Sequence, residues 1–106
     1  MKEVKLRSGR KVMIKEMSLD DIDDCKDILR IVFEGGKAST IAGVNKQKTA
    51  WLRKGIGGGD FKYWDKKSNI ISDNVIKELK DTERDELVDL IQEAQTLGEE
   101  NPSNSN

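Results

Sequence analysis

The sequence predicts an α+β fold, an N-terminal β-hairpin packed on three or four α-helices, and three observations carry that expectation. Apolar residues alternate with charged ones on both sides of a Ser-Gly pair near the N-terminus. Spacing of three and four takes over from Ile22 onward. With 106 residues, 35% of them hydrophobic and 37% charged, the chain has room for one lean core. A single domain is expected over residues 1–98, followed by a disordered tail at 99–106 rich in Glu, Asn and Ser.

The hairpin is expected over 2–15. Val4 and Leu6 alternate with charged residues, as do Val12 and Ile14, and Arg7-Ser8-Gly9-Arg10 lies between the two runs. Gly9 supplies the positive φ of a tight hairpin turn. Two strands alone are marginal in water, so their apolar face must meet a helix or another chain.

A helix is expected over 18–34. The Ser18 hydroxyl can cap the amide of Asp21, Asp20 and Asp21 suit the positive end of the helix dipole, and Met17 and Ile22 flank the cap as a hydrophobic staple. Ile22, Cys25, Ile28, Leu29, Val32 and Phe33 share one helical face, and Gly35-Gly36 ends it. Cys25, in the middle of that face and without a basic neighbour, reads as a buried, inert thiol.

A second helix is expected to carry Ile41, Val44, Trp51 and Leu52, kinked near Gly43 and stopped by Gly55. Gly57-Gly58-Gly59 reads as a flexible or tightly turning connection into an aromatic knot at 60–65. Residues 72–98 read as two short helices. Ser72 or Asp73 caps the first and Thr82 the second, where Leu87, Leu90, Ile91, Ala94 and Leu97 repeat at helical spacing up to Gly98.

Several chemistries fall away. There is no histidine and a single cysteine, so imidazole catalysis, zinc motifs, internal disulfides and CxxC redox chemistry are excluded. No run approaches the roughly 18 apolar residues of a membrane span, and the charged opening Met1-Lys2-Glu3 is not expected to begin a signal peptide. Gly35-Gly36-Lys37-Ala38-Ser39-Thr40 fails as a phosphate loop, because Ile31 stands where its first glycine belongs and Ala38 follows the lysine. The aspartates at 20, 21, 23, 24 and 27 read as a solvated helix face, since an EF-hand needs a loop with a central glycine. No catalytic residue, cofactor or metal is expected.

Charge is distributed in blocks. Residues 1–36 balance; residues 37–67 hold eight basic side chains against Asp60 and Asp65, net +6; residues 68–106 are net −7. Four of the five aromatics, Trp51, Phe61, Tyr63 and Trp64, lie in the basic block. One reading packs the basic block beside acidic ones, in the same or a neighbouring molecule. The other is a nucleic-acid module, with lysines on phosphates and aromatics on bases; a pI of 5.5 counts against it.

Two stretches resemble known phage proteins. Val4 to Asp21, VKLRSGRKVMIKEMSLDD, resembles the opening of small tail assembly chaperones of tailed phages, a hairpin over a Ser-Gly turn followed by a capped, Asp-rich helix. Thr49 to Asp65, TAWLRKGIGGGDFKYWD, is similar to a segment of small phage structural-module proteins, and Ile71 to Leu97 continues that likeness. The resemblance implies a non-enzymatic protein of the host cytoplasm that coats a tail or tape-measure protein until the tail tube polymerises. A minor virion or connector component is the alternative.

Work of that kind needs an exposed apolar or aromatic surface with a charged rim. Trp51, Phe61, Tyr63 and Trp64, with Arg53 and Lys54 beside them, are the candidate partner-binding residues. At least two of the four aromatics are expected in the protein's own core. The opposed charge blocks further predict a homo-oligomer.

Overall fold

The alternation at the N-terminus becomes an antiparallel pair in the computed structural model, which describes residues 1–34, 37–67 and 71–104. Strand β1 (Lys2–Lys5) runs against β2 (Lys11–Ile14) with Val4 opposite Val12, and Gly9, at φ 96°, closes the turn. The free edge of β2 is taken by a third strand, β5 (Ile56–Gly59), so the sheet order is β1-β2-β5. This corrects the expectation that Gly57-Gly58-Gly59 is only a connection. The reason is steric. A Cβ on Gly59 would stand 2.5 Å from the Lys11 carbonyl oxygen and 2.8 Å from the Val12 Cα, so only glycine lets this strand close on β2.

Helix α1 (Leu19–Ile28) begins as expected, with Ser18 Oγ accepting from the Asp21 N–H at 3.1 Å. It ends early. Leu29 is already extended, and the chain continues as β3 (Arg30–Glu34), which pairs antiparallel with β4 (Lys37–Ala42). The helix expected over 18–34 is therefore ten residues of helix followed by the first strand of a second hairpin. Ile31, Val32 and Phe33 lose side-chain freedom in a helix and fit a pleated strand, and Thr40 and Ile41 provide the matching partner. The stop expected at Gly35-Gly36 lies outside the described residues. Leu29, placed on the core face by its spacing, is 40% exposed. The variant Leu29→Asp is thus expected to lose less than about 1 kcal/mol, which thermal unfolding followed by circular dichroism will show.

Helix α2 (Val44–Gly55) buries Trp51 and Leu52 and stops at Gly55, as expected; Val44 is exposed and Ile41 belongs to β4. Its start abuts the end of α1, where Gln47 Nε2 donates to the Cys25 carbonyl at 3.2 Å. Helices α3 (Asp73–Lys77) and α4 (Asp81–Asn104) follow. Lys80, rather than Thr82, stands at the α4 cap: its carbonyl accepts from the Arg84 N–H, and its own N–H donates to Glu83 Oε1 at 3.0 Å. The backbone of α4 continues past Gly98, where a stop was expected, to Asn104, and 105–106 lie outside the described residues. An interior glycine costs only about 1 kcal/mol relative to alanine, too little to stop a helix that is already propagating.

One apolar cluster joins these elements. Leu6, Val12 and Ile14 come from the N-terminal hairpin, Ile22 and Cys25 from α1, Trp51 and Leu52 from α2, Val75 and Ile76 from α3, and Leu87, Val88 and Ile91 from α4. Burial pushes the Cys25 thiol above its ordinary pKa, which suits the inert role expected of it.

Candidate interaction surface

Three basic side chains of the block, all on α2, are answered by carboxylates of the same chain. Lys48 Nζ lies 2.7 Å from Asp85 Oδ1, Arg53 Nη2 lies 2.6 Å from Asp73 Oδ1, and Lys54 Nζ lies 3.2 Å from both Asp21 and Asp24. Hydrogen bonds to Asp21 and then Asp24 raise the Lys54 pKa, and the hydrogen bond from Arg53 lowers that of Asp73. Exposed pairs of this kind contribute only about 0–1 kcal/mol each. Arg53 and Lys54, expected to meet a partner, are engaged at home.

The four aromatics divide. Trp51 and Phe61 are buried in the core, in line with the expectation that at least two would be. Trp64 is partly exposed and leans on Phe61, with ring centroids 6.2 Å apart, while Tyr63 is 52% exposed. The loop carrying them is held firmly from below. One carboxylate, that of Glu78, accepts from the N–H of Lys62 at 2.8 Å and of Tyr63 at 2.9 Å. Lys62 Nζ lies 5.5 Å from the centroid of the Tyr63 ring. Lys66 and Lys67 follow in the same loop, both exposed, and none of these three lysines bridges a carboxylate among the described residues.

Beneath this loop sits a buried ionic clamp. The Arg10 guanidinium donates from Nε to Glu83 Oε2 at 2.9 Å, from Nη1 to the Asp60 carbonyl at 2.6 Å and from Nη2 to the Glu78 carbonyl at 3.2 Å. It also lies 5.3 Å from the centroid of the Phe61 ring. Glu83, 5% exposed, accepts in addition from Ser8 Oγ at 2.8 Å. Burial pushes the Glu83 carboxyl up, but the Lys80 N–H, the Arg10 guanidinium and the Ser8 hydroxyl outweigh it and hold it below the usual carboxylate range. Three distant segments, the first turn, the aromatic loop and the start of α4, meet on this pair.

No family model, no curated protein and no solved structure matches the chain. Among the described residues, no helix is long and apolar enough to cross a membrane.

The second surface is one that sequence reasoning missed. Strands β3 and β4 form a sheet of their own, approach each other and hardly any other element, and have no strand neighbour at either outer edge among the described residues. Ile31 is the register partner of Ile41 and Phe33 of Ala38, with a shift in register between Val32 and Phe33. The root is firm and apolar. Leu29 precedes it, exposed Val44 follows it, and Gly43 sits so close to the end of α1 that a Cβ there would meet the Ile28 carbonyl oxygen at 2.5 Å. A usable signal was present: two β-prone runs flank Gly35-Gly36, the pattern of a hairpin.

Proposed function

We propose that this protein is a non-enzymatic assembly factor that holds a client through its β3–β4 arm, acting as a tail assembly chaperone of a tailed phage. The observation that supports the reading is the arm itself. A two-stranded hairpin with open edges is marginal in water and is a template for further strand pairing. Added strands bind mainly through backbone hydrogen bonds, which accept many sequences, while alternate side chains give the grip. Such binding suits a client that must be covered and then released. The phage setting rests on the likeness of Val4–Asp21 and Thr49–Asp65 to phage assembly proteins.

The test is co-expression with a tail or tape-measure protein encoded beside it. The parent chain should keep the client soluble and co-elute with it in size exclusion. The double variant Ile31→Asp/Ile41→Asp changes one register pair of the arm. It should fold, by circular dichroism and thermal unfolding, yet leave the client insoluble. A client that stays equally soluble with that variant, or that is insoluble with the parent chain, refutes the proposal.

A further inference from the structure

We propose that copies of this chain associate head to tail, the basic aromatic loop of one copy docking on the outer face of α1 in the next. The two faces are opposite in charge. Over 62–67 the loop carries Lys62, Lys66 and Lys67 against Asp65, a net charge of +2, together with the exposed ring of Tyr63, over which Lys62 sits. On α1, Asp20, Asp23 and Asp27 are exposed and recur at three and four residues, so they form one stripe; with Lys26 on its rim that face is net −2. Their neighbours Asp21 and Asp24 are already taken by Lys54, which leaves this stripe unanswered among the described ion pairs. Leu19, 69% exposed, stands at its edge and offers the apolar contact that Tyr63 lacks.

The loop is suited to the task because it is already ordered. The Glu78 carboxylate holds the N–H groups of Lys62 and Tyr63, and Asp65 Oδ1 accepts from the Lys67 N–H at 2.9 Å. Docking therefore loses little loop entropy. Solvent-exposed charges orient the encounter and speed it, and the tyrosine supplies the anchor. Because the two faces differ, the contact is heterologous and propagates into a ring or an open filament. It does not rest on the arm or on any client.

Sedimentation velocity on the full chain reads the outcome. The parent should show concentration-dependent association that weakens in high salt. Lys66→Glu/Lys67→Glu makes both faces acidic and Asp23→Lys/Asp27→Lys makes both basic, so each variant alone should be monomeric. Mixed in equal amounts, the two should associate again, alternating along the assembly. Tyr63→Ala should weaken association at least tenfold while folding normally by circular dichroism. A parent that stays monomeric at high micromolar concentration in low salt overturns the proposal. So does association that survives either reversal, or a mixture of folded variants that remains monomeric.

Discussion

Replacing Glu83 by alanine is expected to remove about 3–5 kcal/mol of stability, the range for breaking a buried ion pair on one side. The loss is large because one carboxylate serves three donors: Arg10, Ser8 and the Lys80 N–H. Without it the Arg10 charge is left in a site only partly open to water, and α4 loses its cap interaction. A domain of this size has roughly 5–15 kcal/mol in total, so the denaturant midpoint should fall by about a fifth or more. The same residue gives a pH dependence. Its folded pKa is lowered, so its contribution is complete above the unfolded carboxylate value of about 4.3 and is lost as pH falls through the lower folded value. The parent should therefore lose stability below about pH 4 more steeply than Glu83→Gln, as successive denaturant titrations will record.

Gly59→Ala is the second large effect, at about 3 kcal/mol. The atoms a Cβ would strike, the Lys11 carbonyl oxygen and the Val12 Cα, are backbone, so no side chain can swing aside to make room. Gly59 also sits at φ 135°, where alanine is strained whatever the space. The strand must lift from β2, taking with it the hydrogen bond from the Asp60 N–H to the Lys11 carbonyl. Amide exchange across β2 and β5 should quicken along with the loss of stability. Gly9→Ala is the comparison: at φ 96° it meets nothing within 4 Å, and its cost is strain alone, about 1 kcal/mol.

The elements that sequence reading found are those decided locally. The Ser18 cap, the N-terminal hairpin around Gly9, the end of α2 at Gly55 and the apolar face of α4 each depend on residues within a turn or two of one another. Strand β3 was hidden because Ile28, Leu29, Val32 and Phe33 also satisfy a helical period; only pairing with β4 favours the strand. Strand β5 carries no side-chain pattern in its three glycines, and the backbone of β2 alone defines it. Composition gathered Trp51, Phe61, Tyr63 and Trp64 into one candidate surface, and burial then split them. The Arg10–Glu83 clamp left one local trace, a glutamate at the third position of a helix.

The separation of 73 residues from Arg10 to Glu83 also sets a timetable. A ribosome adding about 5–20 residues per second needs roughly 4–15 s to travel from one to the other. A hairpin forms in about 1–10 μs, so β1 and β2 meet and part a great many times before their lock is synthesised. Strand β5 arrives part-way through that interval, and the carboxylate that secures Arg10 comes later still. The element made first is thus the last to become permanent, and a chain stalled before α4 displays an unlocked sheet with its apolar side uncovered to every protease and neighbour within reach.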